Sequence, residues 1–270
     1  MGRLYVVGTP IGNLEDLSFR ALRVLREATL IAAEDTRRAR VLTDTYEIDT
    51  PTTSYFEGNK LTKLDAVLET LAEGDVALIS EAGMPGLSDP GYELIRSAIE
   101  GGHSVVPIPG PTAPITALVV SGLPTDSFLF VGYLPRRKGS RRRLLDQVAR
   151  EPHTLIAFEA PHRLRESLAD IEAALGNRPI ALCREMTKVH EEIWRGTIAE
   201  ARAGYVDRGP RGEFTLVIGG ATEVQQHWAP EQVRAALDDL LAEGVRRPEA
   251  ARRVAELSGW DRGDVYRLTL

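Results

Sequence analysis

Short apolar runs alternate with segments of helical spacing from the first residues onward, and this alternation constrains the fold more than any other feature of the chain. Leu4–Val7, Leu30–Ala33, Val76–Ile79 and Ser104–Ile108 are brief and almost wholly hydrophobic. Such runs suit strands covered on both faces, as in a parallel sheet wrapped by helices. Between them, Leu17, Ala21, Val24, Leu25 and Ala28 repeat on one helical face. Thr62 is placed to cap a helix that Gly74 closes. Asp89-Pro90 reads as an acidic cap with proline at the first helical position, opening a helix over Tyr92–Glu100. A further apolar helix is expected over Ala113–Val120. This is βαβ logic, and it predicts an α/β fold.

The pattern restarts in the second half. Phe128–Leu134, Thr154–Phe158, Ile180–Cys183 and Phe214–Ile218 are strand candidates, with helices over Arg142–Val148 and Arg163–Leu175. Gly122-Leu123-Pro124-Thr125 is the best junction between the halves. The expected division is an N-terminal α/β domain over 1–122, a second α/β domain over 123–220 and a small helical extension over 221–270. The extension carries two short amphipathic helices, Pro230–Leu241 and Pro248–Leu257. Its helix-turn-helix look is weak evidence for DNA binding, because Asp238, Asp239 and Glu243 share it with the arginines.

Composition narrows the classes. Of 270 residues 43% are hydrophobic and 27% charged, enough apolar material for a real core. The single cysteine, Cys183, excludes an internal disulfide and reads as a small buried hydrophobe in a strand. No apolar run approaches the roughly 18 residues that span a membrane, and the start reads directly into a strand, so the cytoplasm is the expected compartment and no membrane partner is expected. A formal charge of −6 argues against broad, sequence-independent binding to nucleic acid. One local exception stands out: Arg136-Arg137-Lys138-Gly139-Ser140-Arg141-Arg142-Arg143 holds six basic residues in eight positions. It reads equally as a solvated loop running into a helix or as an RNA contact.

The most informative local segment is Ser80–Gly91, a glycine-rich polar loop after the third apolar run. Ligands of α/β folds bind beyond the carboxyl ends of strands, and glycines there let backbone amides approach a ligand. Pro109-Gly110-Pro111-Thr112 occupies the equivalent place after the next run, so the two loops could wall one pocket. Gly8-Thr9-Pro10-Ile11-Gly12 lacks the dinucleotide-binding glycine spacing, and no phosphate-loop lysine motif occurs. The histidines His103, His153, His162, His190 and His227 show no paired metal-ligand spacing, so no metal is expected. His162 and His190 follow strands and are open to a functional or an ion-paired role. Glu34-Asp35-Thr36-Arg37-Arg38 could be a surface ion network or could orient a phosphate or ribose hydroxyl.

Together these segments resemble a known family. Leu4–Leu14, Ala32–Arg37, Ser80–Gly91, Pro107–Pro111, Ser121–Asp126 and Phe130–Arg136 carry the likeness. It continues through Pro161–Leu164, Arg184–Lys188 and Glu191–Thr197. In order and across residues 4–220 they are similar to the bacterial ribosomal RNA small-subunit methyltransferase I family of the tetrapyrrole-methylase superfamily. The resemblance implies two α/β domains with S-adenosylmethionine held in the cleft between them, and a homodimer. It also implies 2'-O-methylation of cytidine 1402 in 16S rRNA, on the assembled small ribosomal subunit, with no DNA partner. Carried over residue by residue, it places the cofactor against Thr9, Pro10, Glu81, Ala82, Gly83, Met84, Pro85 and Asp89. It adds Pro109, Gly110, Pro111 and Thr112, and from the second domain Phe158, Glu159 and Ala160. The chain departs from the family where relatives have aspartate and this chain has Glu81. It departs again where relatives often have two histidines and this chain has Phe56 and Gly58.

Methyl transfer from a sulfonium is an in-line displacement onto a weak nucleophile, so alignment and a base or positive group should both help. The expected catalytic set is Glu34, Asp35 and Arg37 on one side, and Glu159, His162, Arg184, Glu185 and Lys188 on the other. Three other readings remain open: a methyltransferase of the same fold acting on a tetrapyrrole or another acceptor, a non-catalytic RNA-binding module, and a DNA-binding regulator.

Overall fold

A computed structural model describes residues 2–205, 209–221 and 228–268, which fall into two compact units, Met1–Ala221 and Thr222–Leu270. The first sheet holds β1 (Arg3–Val7), β2 (Leu30–Ala33), β3 (Thr52–Ser54), β4 (Val76–Ile79) and β5 (Ser104–Ile108). Their order is β3-β2-β4-β1-β5, with every pair parallel. The connections carry α1 (Phe19–Glu27), α2 (Thr36–Thr45), α3 (Lys60–Glu73) and α4 (Tyr92–Glu100), and α5 (Ala113–Ser121) follows β5.

Alternation along the strands explains why the runs are apolar throughout. Ile31, Ala33, Ala77 and Ile79 pack with Val24, Leu25, Ala39 and Leu42 of α1 and α2. The intervening Ala32, Val76 and Leu78 pack instead with Val67 and Leu71 of α3 and Leu94 and Ala98 of α4. Each fully buried leucine or isoleucine here contributes on the order of 1.5–3 kcal/mol.

The second sheet contains β6 (Phe128–Tyr133), β7 (Thr154–Glu159), β8 (Pro179–Arg184), β9 (Glu192–Thr197) and β10 (Phe214–Ile218), ordered β6-β7-β10-β8-β9. Only β6 and β7 run parallel; the other pairs are antiparallel. Leu155, Ala157, Leu182 and Leu216 face Leu145 of α6 (Lys138–Gln147), Leu164, Leu168 and Ile171 of α7 (Leu164–Leu175) and Ile198 and Ala201 of α8 (Ile198–Gly204). The opposite face, Ile156, Ala181, Cys183 and Val217, is covered by Ala117 and Leu118 of α5. So α5, which precedes the glycine-proline junction in sequence, packs against the second sheet. Cys183 is buried there, as its apolar run predicts.

Two predicted helix caps are not used as caps, and α6 starts four residues before the expected Arg142. Thr62 is not the cap of α3: the helix begins at Lys60 after Asn59, and the Thr62 hydroxyl donates back to the Asn59 carbonyl at 2.9 Å. Asp89 does not cap α4. The helix starts at Tyr92 behind Gly91, whose φ of 145° is open to glycine and strained for other residues, leaving Asp89 and Pro90 in the loop. The basic run is chiefly helical, since α6 begins at Lys138.

In the second unit, α9 (Pro230–Ala242), α10 (Arg247–Ser258) and α11 (Arg262–Arg267) enclose Val233, Leu237, Ala250, Ala251, Val254 and Val265. The Trp260 indole donates to the Trp228 carbonyl at 2.8 Å. Among the described residues no helix is long and apolar enough to cross a membrane.

Candidate functional site

Three loops at the carboxyl edge of the first sheet are locked together by their backbones. Thr9 and Gly83 exchange both peptide hydrogen bonds, at 2.9 and 3.1 Å, in an isolated antiparallel bridge. Gly83 sits at φ +81°, which favours glycine. Gly8 and Gly110 touch backbone to backbone: a methyl placed on Gly8 would stand 2.7 Å from the Gly110 Cα, so neither position has room for a side chain. The turns after β1, β4 and β5 therefore converge, as two opposing loops of one pocket require.

Above this floor lies a cleft of about 890 Å³ within the first unit, near the upper end of small-molecule sites. Thr9, Pro10, Glu81, Ala82, Gly83, Met84, Asp89 and Thr112 line it from the first sheet; Phe158, Glu159, Ala160, His162, Glu185 and Lys188 line it from the second. Pro85, Pro109, Gly110 and Pro111 lie outside the lining, where Gly110 braces Gly8 from behind.

The electrostatics of the first wall are acidic. Burial pushes the Asp89 carboxyl up to about 7, helped by the charges of Glu34 and Glu81, while the Ser80 hydroxyl works the other way. Burial also raises Glu34, whose carboxylate accepts the Glu81 amide at 3.1 Å. Glu34 thus stands behind the lining and props the loop that bears Glu81. Glu81 in turn pairs with Arg38 at 2.8 Å, and Arg38 lines the cleft.

Asp35 and Arg37 face another way. Asp35 caps α2, accepting the Arg37 amide at 2.8 Å, and hydrogen bonds from the Arg37 side chain hold its carboxyl down at about 2. Arg37 is 90% exposed, and neither residue lines the cleft.

The second wall divides between free and committed groups. Lys188 is tied to Glu185 at 3.1 Å and Glu213 at 3.0 Å. Burial disfavours its charge, but the two carboxylates outweigh that and raise it; Glu185 is lowered because the Glu213 amide and Lys188 overcome its own burial. Glu159 is buried and fully engaged: it accepts the Ala160 amide at 2.7 Å and the Ser167 hydroxyl, and pairs with Arg163 at 2.6 Å. His162 is exposed at the rim. Arg184 pairs with Glu192 at 3.0 Å and borders a separate hollow with Tyr205 and Arg211. His190 is exposed and outside the lining; His103 contacts the Gly2 carbonyl, His153 contacts Glu151, and His227 lies outside the described residues.

Sequence reasoning missed Tyr133 and Glu213 and left Arg38 out of the expected catalytic set, yet all three line the cleft. Arg38 was visible as the neighbour of Arg37, but only the phase of α2 separates the two. Tyr133 packs on Phe158 with ring centroids 5.1 Å apart, a pairing made by strands β6 and β7 lying side by side.

The donor set suits a cationic adenosine cofactor. Ile11, Leu14, Ala39, Leu42 and Met186 give apolar surface for a flat ring, and Glu81 and Asp89 give acceptors for hydroxyl or ammonium groups. Among the described residues no group of three or more His, Cys, Asp or Glu side chains is arranged to hold a metal ion.

Residues 3–202 match the tetrapyrrole (corrin/porphyrin) methylases. The chain is 46% identical over 275 aligned residues to the ribosomal RNA small subunit methyltransferase I of Halalkalibacterium halodurans, covering 99% of this chain and 94% of that protein. It is 47% identical over 221 residues to the protein of the same name from Thermotoga maritima, covering 82% of this chain and 99% of the relative. Among solved structures, uroporphyrin-III C-methyl transferase from Thermus thermophilus complexed with S-adenyl homocysteine superposes with a TM-score of 0.56 at 22% identity, covering 81% of this chain and 97% of that one. That likeness establishes the shared fold.

Proposed function

This chain belongs to the tetrapyrrole methylase family and, within it, to the ribosomal RNA small subunit methyltransferase I family, and from that premise we propose that it methylates the 2'-hydroxyl of cytidine 1402 in 16S rRNA on the assembled small subunit. S-adenosylmethionine is the methyl donor. The observation that carries the reading is full-length similarity to rRNA methyltransferases joined to a cleft whose floor is built from three converging glycine turns. In its finer form the proposal includes a homodimer working in the cytoplasm, where small subunits reside. Exposed Val119, Phe128 and Leu129 support the dimer as apolar surface for a second copy to cover.

When bound, the cofactor supplies a methyl group on a positively charged sulfur. Thr9, Pro10, Ala82, Gly83 and Thr112 would hold it, with Glu81 and Asp89 offering carboxylate acceptors. The Gly8–Gly110 contact and the Thr9–Gly83 bridge fix the backbone amides before any ligand arrives, so little ordering remains to be done on binding. Glu34 and Arg38 hold Glu81 from either side. The acceptor side is assigned to His162, Glu185, Lys188 and Glu213. Lys188 stays protonated between its two carboxylates and can stabilise negative charge developing on a sugar oxygen, while a carboxylate or His162 takes the departing proton. Asp35, Arg37 and Arg184 act outside the cleft, and Glu159 holds the wall in shape.

Mapping labelled methyl groups after incubation with undermethylated small subunits tests the proposal. Label on the ribose of cytidine 1402 is expected. Label on another nucleotide, on a base, or only on a tetrapyrrole acceptor would overturn it.

A further inference from the structure

The basic run Arg136–Arg143 divides into two kinds of residue. Arg141 is withdrawn from solvent, 1% exposed, and its guanidinium is bound to Asp170 of α7 at 2.9 and 2.6 Å. Glu166, largely exposed, lies 3.6 Å from it. Arg142 also reaches Asp170, at 2.8 Å, but keeps half of its side chain in water. Arg136, Arg137, Lys138 and Arg143 are exposed and make no ion pair with any described residue. Helix stability does not explain them. Lys138 opens α6, no acidic residue stands in the first turn, and Arg137 at the cap position makes no side-chain capping bond. Cations at a helix N-terminus oppose the macrodipole.

What precedes these cations is held by two buried charge pairs. Arg163, paired with Glu159, donates to the Leu134 carbonyl at 3.0 Å, and Arg141, paired with Asp170, reaches the adjacent Pro135 carbonyl at 3.5 Å. Consecutive carbonyls are thus pinned, one from the turn before α7 and one from α6, whose Arg141 is held in place by Asp170 of α7. Immediately before them stands Tyr133, which lines the cleft; immediately after them stand Arg136, Arg137 and Lys138. A buried ion pair adds little net stability over an apolar substitute but enforces one arrangement. Here the arrangement keeps a strip of free cations at a fixed distance from the cleft wall.

We propose that Arg136, Arg137, Lys138 and Arg143 form an edge that binds the phosphodiester backbone of the RNA substrate beside the cleft, with Arg141–Asp170 and Arg163–Glu159 as its positioning pairs. The inference rests on the reading of the chain as an rRNA methyltransferase and names the surface on which that substrate lies. It also accounts for RNA recognition by a chain of net charge −6: the neutralising charge is concentrated at one rim.

The test compares the full-length wild type with a variant carrying Arg136→Ser, Arg137→Ser and Lys138→Ser, all at exposed positions. Initial rates are measured on undermethylated small subunits across a salt series. We expect KM for subunits to rise ten-fold or more, kcat to change less than two-fold, and the log–log dependence of KM on salt to flatten by about 2–3, since each of the three lost phosphate contacts removes about 0.7–0.9 from that slope. The charge-retaining set Arg136→Lys, Arg137→Lys and Lys138→Arg should restore both KM and slope. Asp170→Asn should raise KM while leaving the slope nearly intact; where it lowers the folded fraction, the surface variant decides alone. A serine variant with wild-type KM and salt slope overturns the edge even though the wild type methylates subunits. A wild type that leaves small subunits unmethylated overturns the functional reading itself.

Discussion

Asp89 carries the most perturbed carboxyl of the cleft. Burial, then the charge of Glu34, lifts it from the ordinary carboxylate range to about 7. The folded chain therefore holds that proton up to near neutrality, whereas the unfolded chain releases it around pH 4. Its contribution to stability is full below the unfolded value and is lost as pH rises through the folded one. Asp89→Asn, which cannot ionise, should match the wild type at pH 4 and exceed it by about 1–2 kcal/mol at pH 8, a figure discounted for partial exposure. Urea unfolding at the two pH values reads this; an equal gain at both would reject it. Above pH 7 the same substitution should weaken S-adenosylmethionine more than its neutral demethylated product, because the lost charge favours the sulfonium.

The junction between β7 and α7 shows how an element's end becomes a site wall. Pro161–Arg163 forms a single 3₁₀ turn between strand and helix, and Glu159 stitches it by accepting from Ala160, Ser167 and Arg163 at once. Glu159→Ala would leave Arg163 buried without its counterion and the Ala160 amide and Ser167 hydroxyl without their acceptor. The expected cost is about 3–5 kcal/mol, with Glu159→Gln milder because it keeps an acceptor oxygen. Chemical denaturation of both variants decides it. A loss below 1 kcal/mol in the alanine variant would return Glu159 to the candidates for direct chemistry.

At the scale of the molecule, the cleft belongs wholly to Met1–Ala221, and Thr222–Leu270 has its own core around Val233, Leu237 and Val254. The Thermotoga maritima relative is spanned to 99% by an alignment of 221 residues, the length of the first unit. A chain ending at Ala221 should therefore unfold cooperatively and bind S-adenosylmethionine within about three-fold of the full chain, a change below 1 kcal/mol. Calorimetric titration of the truncated chain is the measurement. Loss of binding, or a noncooperative melt, would mean that the last 49 residues complete the first unit.

Sequence alone determined the α/β class, because fully apolar runs such as Val76–Ile79 satisfy both faces of a covered sheet and little else. It also identified the glycine turns that floor the cleft. The short edge strand β3 and the mixed, half-exposed β9 escaped it, since Thr52–Ser54 and Glu192–Thr197 are strands through their hydrogen-bonded neighbours rather than through their own periodicity. The division of chemistry among neighbouring charges was equally invisible. Glu34 props a loop while Asp35 caps a helix, Arg38 enters the cleft while Arg37 stays in water, and Arg141 is buried within a run of exposed cations. Residue type and order are local properties; which carboxylate meets which guanidinium, and which is left free, depends on contacts such as Arg141–Asp170, 29 residues apart, that exist only once the helices have packed.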